Sequence, residues 1–180
     1  MQYLSAEERE NKNKTFQGRD VKRAKSIAFR YLTNRDRSHK EIVDHLRKKQ
    51  FDQATILETT NYLLRLGYIN DKHFALNWGK YWAKNKNVGK LRLLKELVNK
   101  GIPHSLAEET VGKIFSEFDE WELAKICVEK KIRSLSKFNI ASKRRKLAGH
   151  LDRKGFSTPV ILNALNHFTP FSGSLATDGS

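Results

Sequence analysis

The chain has 180 residues, with 35 Lys and Arg against 20 Asp and Glu for a net charge of +15, and a hydrophobic share of 38% with only 3 prolines. So modest a hydrophobic share argues against one large core and suits small helical bundles in a row, and the scarcity of breakers favours helix. No apolar run approaches the roughly 20 residues of a membrane span, "MQYLSAEERENKNK" lacks the apolar segment of a signal peptide, and a lone cysteine excludes an intrachain disulfide; a cytoplasmic protein with no membrane partner is expected.

In chain order, residues 1–24 form a charged segment, mobile or part helical. "RAKSIAFRYLTNR" then places Ala24, Ile27, Ala28, Tyr31 and Leu32 on one helical stripe. Ser38 and Glu41 have the spacing of a capping box, opening a helix striped by Ile42, Val43 and Leu46 that ends before Phe51. Asp52 opens the next helix, with Ile56, Thr60 and Leu63 on its stripe. "DKHFALNWGKYWAKN" carries Phe74, Ala75, Trp78 and Trp82; the two tryptophans read as core, and Tyr81, off the stripe, as exposed. Leu93, Leu94 and Leu97 precede Ile102, and Pro103 leads into Ala107, Val111 and Ile114. A second capping box, Asp119 with Glu122, starts "EWELAKICVEKKIRSL", where Cys127 reads as a small buried hydrophobe. Leu147, Ala148 and Leu151 precede Phe156, followed by Ser157, Ile161, Leu165 and Phe168. "TPFSGSLATDGS", residues 169–180, reads as a disordered tail.

These elements repeat in register. Aligned on Phe51, Ile102 and Phe156, the apolar positions fall at the same offsets before and after each anchor. The expected fold is therefore all-α, a tandem array of three three-helix repeats at 25–69, 70–118 and 119–168, stacked into an elongated, curved molecule. Gly101 and Gly155 stand where a helix-terminating residue adopts a left-handed backbone, and Gln50, in the same place, should be less comfortable there.

The charge is unevenly spread. Residues 9–49 carry 14 basic and 5 acidic side chains, residues 137–154 carry 7 basic and 1 acidic, and six acids gather in 108–122. Such blocks favour a polyanionic partner. No phosphate-cradling glycine loop is present, the histidines have no metal-ligand spacing, and no Ser/His/Asp ordering or carboxylate cluster supports hydrolysis. No catalytic residue, metal or cofactor is expected, and the chain is not read as an enzyme. Clustering of basic side chains at helix starts and turns nominates Arg35, Arg37, Lys40, Lys84, Lys86, Lys90, Arg92, Lys143, Arg144, Arg145, Lys146, Arg153 and Lys154 as contacts to that partner. Arg153 and Lys154 equally suit a helix C-terminus, where cations offset the dipole.

The segments "RDRSHKEIVDHLRKKQF", "LGYINDKHFALNWGK", "VGKLRLLKELVNKGI" and "KRRKLAGHLDRKGFS" together resemble the RecX family of bacterial regulators of the recombinase RecA. Gly67-Tyr68-Ile69-Asn70-Asp71 followed by Phe74-Ala75 is the most specific match. The resemblance covers roughly residues 25–168, with Gln50 standing where the family commonly has glycine and Lys84 where arginine is frequent. It implies three tandem three-helix repeats, no enzymatic activity, and binding to RecA filaments on single-stranded DNA that limits filament growth and lowers strand exchange, ATP hydrolysis and repressor co-cleavage. Expected partners are RecA and single-stranded DNA, with double-stranded DNA as a further candidate and the chain itself a monomer. The alternative is a helical DNA-binding protein with no recombinase partner.

Overall fold

The computed structural model describes the backbone of residues 6–170 and the side chains of 18–170. The parts of the expected N-terminal segment and C-terminal tail at 1–5 and 171–180 lie outside those residues. Nine α-helices follow one another among the described residues: α1 Ala6–Leu32, α2 His39–Lys48, α3 Gln53–Arg65, α4 Asp71–Lys86, α5 Lys90–Asn99, α6 His104–Glu117, α7 Glu120–Ile132, α8 Ile140–Arg153 and α9 Thr158–Phe168. The described residues contain no strand, so the fold is all-helical and fits a helical repeat array.

Two boundaries differ from the sequence reading. Helix α1 begins at Ala6, so the charged segment read as mobile or part helical continues without a break into the helix of "RAKSIAFRYLTNR"; no proline interrupts it. The helix expected to run to Leu135 tightens into a 3₁₀ turn over Arg133–Leu135 after α7. One residue assigned to the tail is also ordered: Thr169 is 1% exposed, and its hydroxyl donates to Leu165 O at 2.8 Å, closing α9.

The apolar stripes become the core. Ile42, Leu46, Ile56 and Leu63 join Ala24 and Ala28 in one buried cluster. Leu93, Leu97, Ala107, Val111 and Ile114 are buried at the matching positions further on, as are Leu147, Leu151 and Leu165. Helices α1, α2 and α3 pack on one another, as do α7, α8 and α9, while α5 packs on α6. Gly79 has no Cβ where one would meet Ile114, so α4 can approach α6 closely.

Two compact units result. The first comprises the chain up to Ala75 with Lys100–Ile102; the second comprises Leu76–Asn99 and the chain from Pro103 onward. Each unit contains a joint at the matching place in the repeat, closed through the Ser38 side chain in the first unit and through main-chain N–H groups in the second. In the first, Ser38 Oγ donates to Lys100 O at 2.7 Å, and Asp71 Oδ1, at the start of α4, accepts from His39 N at 2.7 Å. In the second, Gly89 N donates to Lys154 O and Leu91 N to Gly155 O, both at 3.0 Å, and Glu120 Oε1, at the start of α7, accepts from Lys90 N at 3.1 Å. A helix start, with its unpaired N–H groups, is thus closed by the turn that ends a later helix and by an acid beginning another.

The glycine turns make this approach possible. Gly101 has φ +87° against the Lys40 side chain, and Gly155 has φ +75° against the Arg92 backbone, where a Cβ would overlap. Gln50 holds φ +64° at the equivalent turn, with Phe51 N donating to Leu46 O at 3.3 Å and Gln50 N to Arg47 O at 2.9 Å, the bonding of a Schellman cap.

Two substitutions should therefore move stability in opposite directions, read as thermal or denaturant midpoints. Gln50→Gly removes the left-handed strain from an exposed side chain and should gain up to about 1 kcal/mol. Gly155→Ala adds about 1–2 kcal/mol of backbone strain and an overlap with Arg92 that only a backbone shift relieves, so it should lower the midpoint. A neutral Gly155→Ala would show that the joint is loose.

Candidate nucleic-acid interface

In the second unit, three adjoining cavities share their walls. The first, about 310 Å³, is lined by Lys86, Lys130, Lys131, His150 and Lys154, with Asn85, Asn87 and Cys127. The second, about 560 Å³, adds Arg145, Lys146, Arg153 and Phe138. The third, about 330 Å³, brings in Trp82, Val88 and Arg92. Lys131, His150, Arg153 and Lys154 recur between them, so the cavities form one basic surface. Among the described residues no Asp or Glu lines any of the three.

The helices explain this convergence. On α7, Cys127 and Val128 are buried and leave Lys130 and Lys131 at the last turn. On α8, Leu147 and Leu151 are buried and leave Arg145, Lys146, His150 and Arg153 on the flanks. The joint then brings the end of α4 beside the end of α8: Lys154 Nζ donates to Lys86 O at 2.7 Å. Burial, followed by the charges of Lys154, Lys131 and Arg153, holds the His150 imidazole below its usual range. Burial likewise pushes the Cys127 thiol up, and Cys127 Sγ donates to Asn87 O at 3.1 Å. The joint's own acid is occupied too: buried Glu120 accepts from Ser157 N at 3.2 Å and Ser157 Oγ at 3.1 Å as well as from Lys90 N.

The nominated basic residues divide between two roles. Lys86, Arg92, Arg145, Lys146, Arg153 and Lys154 meet on the surface just described. Arg92 is also paired with Glu96 at 2.7 Å, and Lys146 lies 4.5 Å from the Phe138 ring centre. Arg144, in contrast, ties down the end of α9: its guanidinium donates to Leu165 O at 2.9 Å, to Thr169 O and to Asn166 Oδ1. Lys90 leans towards Glu120 at 3.9 Å and the Phe115 ring. Lys143 is half-buried in the first turn of α8, and Lys84 is exposed on α4.

Arg35, Arg37 and Lys40 belong to the first unit. Arg35 makes a two-pronged pair with Glu41 at 2.9 and 3.2 Å, and Lys100 Nζ meets the same carboxylate at 2.7 Å. Burial alone would raise the Glu41 carboxyl, but Arg35 and Lys100 outweigh it and hold the group below the usual carboxylate range. Arg37 lies 3.8 Å over the Tyr31 ring, and His45 stacks on Tyr31 at 3.9 Å, so the two groups cover its two faces. Lys40 packs its aliphatic stem against Gly101. A second basic cavity of about 490 Å³ opens nearby, lined by Arg23, Arg30, His45 and Lys49 with Ile27, Tyr31 and Asn34.

Such surfaces can hold a chain of phosphates through charge and donors. Trp82 adds an aromatic face: it stacks on Trp78 at 5.0 Å, yet it is only half-buried and lines a basic cavity instead of lying wholly in the core. Tyr81, off the stripe, is 60% exposed. Lys130, Lys131, His150, Arg23, Arg30 and Lys49 are additional to the sequence reading. The signal available for two of them was the repeat register, since His45 and His150 each stand six residues before an anchor and are followed four residues later by lysine. Among the described residues no group of three His, Cys, Asp or Glu is placed to hold a metal, and no helix is long and apolar enough to cross a membrane.

Comparison with known proteins gives a consistent result. The family pattern described as the first three-helix domain of RecX matches residues 24–67, and that of the third three-helix domain matches 118–165. The regulatory protein RecX of Bacillus licheniformis is 36% identical over 148 residues, covering 82% of this chain and 56% of that protein. The regulatory protein RecX of Amycolatopsis mediterranei is 33% identical over 135 residues, covering 75% of this chain and 77% of its relative. The chain spans about half the length of the Bacillus relatives it matches, 52% for that of Bacillus cereus. The crystal structure of RecX from Lactobacillus salivarius superposes with a TM-score of 0.72 at 26% identity, covering 83% of this chain and 97% of that one. A second crystal structure of a regulatory protein RecX, 21% identical, shares the fold with a TM-score of 0.74 over 89% of this chain and 79% of its own.

The two neighbouring arginines of α8 should separate under mutation. Arg144→Ala strands carbonyls at the end of α9 and should cost about 1–3 kcal/mol of stability. Arg145→Ala should stay within about 0.5 kcal/mol. Equal losses in a denaturant titration would contradict the division of roles.

Proposed function

We propose, from the premise that the chain belongs to the RecX family of regulatory proteins, that it binds RecA filaments on single-stranded DNA and lowers their recombinase, ATPase and co-protease activities, as a regulator in DNA repair and the SOS response. The observation that carries this reading is the basic surface of the second unit. Its cations converge from α4, α5, α7 and α8, no acid lines it among the described residues, and it includes the half-buried Trp82.

Physically, a nucleoprotein filament combines closely spaced phosphates with protein surface. Lys and Arg that replace condensed counterions on the strand gain free energy by releasing them, without reading base sequence. The aromatic face of Trp82 suits an unpaired base, which also has no sequence requirement. A regulator of this kind acts by occupying the filament: it needs position and charge, not a reacting group. On this reading the chain works without catalysis.

The test adds the protein to RecA filaments preformed on single-stranded DNA and follows ATP hydrolysis and filament length. The wild type should lower both. The triple reversal Arg145→Glu, Lys146→Glu and Arg153→Glu leaves the Arg144 contacts and both joints in place. It should relieve inhibition, and for binding to single-stranded DNA it should reduce the slope of log affinity against log salt by about 2. Undiminished inhibition by a folded triple variant would remove this surface from the contact.

A further inference from the structure

The His150 cavity has a feature that a merely solvated basic face lacks: two backbone carbonyls of its lining residues are already taken by donors of the protein. The carbonyls of Lys86 and Asn87, at the end of α4, would repel an anion. Lys86 O is taken by Lys154 Nζ at 2.7 Å, and Asn87 O by Cys127 Sγ at 3.1 Å. Around the roughly 310 Å³ space stand Lys130 and Lys131 from α7, Lys86 from α4, Lys154 beyond α8 and the imidazole of His150, with the neutral amides of Asn85 and Asn87. Arg153 approaches from α8 and Arg92 from α5 on the adjoining wall; Glu96 is paired with Arg92 at 2.7 Å, and Asp152, next to Arg153 in sequence, is exposed and does not line the cavity.

We propose that this cavity is a phosphodiester-binding site in which His150 binds as the imidazolium, so that nucleic-acid binding takes up a proton. The proposal rests on the nucleic-acid reading above and specifies where a phosphate sits and which group titrates. The repeat register supports it independently. His45 and Lys49, before Phe51, hold the same places as His150 and Lys154 before Phe156, and they too line a basic cavity, with Arg23 and Arg30. Before Ile102 the same places hold Glu96 and Lys100, whose charges are paired with Arg92 and Glu41, so the two repeats that carry the histidine are the two in which this position is seen to line a basic cavity.

The sign of the effect follows from the surroundings. In the free protein, burial and the charges of Lys154, Lys131 and Arg153 keep His150 neutral to lower pH than an ordinary histidine. A phosphodiester entering among those cations reverses the local field and favours the charged ring. Affinity for nucleic acid should then rise as pH falls through the histidine range, whereas lysine and arginine contacts alone stay constant there.

The test uses the whole protein with oligo(dT) as probe at fixed ionic strength. The imidazole resonance of His150, assigned by its loss in His150→Gln, is titrated free and saturated with oligo(dT), and binding is measured by anisotropy between about pH 6 and about pH 8. The His150 titration should move upward on saturation. The ratio of affinities at the two pH values should approach roughly tenfold in the wild type and fall in His150→Gln. Inorganic phosphate at equal phosphate concentration should leave the titration in place. Binding of oligo(dT) with an unmoved His150 titration overturns this site and leaves the nucleic-acid reading standing. An equal movement with inorganic phosphate assigns the cavity to free phosphate and overturns the proposal. Absence of oligo(dT) binding at low salt and every pH overturns both readings.

Discussion

The rest of the molecule depends on the backbone joint in which a glycine turn at the end of one helix closes the start of an earlier one. Gly89 N–H to Lys154 O and Leu91 N–H to Gly155 O are bonds between main chains, so no side chain sets the distance; the missing Cβ atoms do. A helix start leaves N–H groups without partners, and in a chain with a modest hydrophobic share those groups cannot simply be buried. The joint satisfies them, and Asp71 and Glu120 complete the closure with carboxylates placed where the helix dipole favours negative charge. The basic surface follows from this. Lys154 has its carbonyl held by Gly89, which leaves its ammonium beside Lys86 O and brings α4, α7 and α8 around His150.

Charge is thereby divided by task. The more enclosed carboxylates serve the scaffold: Glu41 with Arg35 and Lys100, Glu96 with Arg92, Glu120 with the N–H groups of Lys90 and Ser157. Cations outnumber acids by 35 to 20 across the chain, so once these acids are engaged, a surplus is left to gather where no carboxylate lines the wall. Exposed pairs such as Lys113–Glu109 and Lys125–Glu122 contribute little to stability, and their acids do not line the basic cavities.

Much of the scaffold was legible because its signals are local. A period of 3.6 puts Leu46, Leu97 and Leu151 on core faces wherever their neighbours lie, and Ser38 with Glu41 forms its capping box within one turn. Gly101 and Gly155 announce their turns by identity alone, and Gln50 could be placed there only through the register. The site was less legible because its meaning is distant in sequence. Arg144 looks like its neighbour Arg145 until the carbonyls 21 and 25 residues away are seen beneath it. Lys130 and Lys131 read as an ordinary solvated helix end, since nothing in "CVEKKI" discloses that α4 and α8 arrive beside them. Trp82 sits at a core spacing, yet it faces a cavity because the joint, not the helix period, decides what lies beyond the stripe.

A wall of like charges is a liability to the free protein. Lys86, Lys130, Lys131 and Lys154 around one cavity repel one another, and burial together with the charges of Lys154, Lys131 and Arg153 depresses the protonation of the histidine between them. The fold tolerates this because the closure beside the cavity is made by neutral main-chain bonds, Gly89 N–H to Lys154 O and Leu91 N–H to Gly155 O, and by the buried carboxylate of Glu120. A polyanion that enters the cavity removes the repulsion at the same time as it gains attraction, so its binding and the stability of the second unit rise together. That coupling is what a surface shaped for phosphates should show, and it separates such a surface from charges kept only for solubility, which are spread apart and mixed in sign.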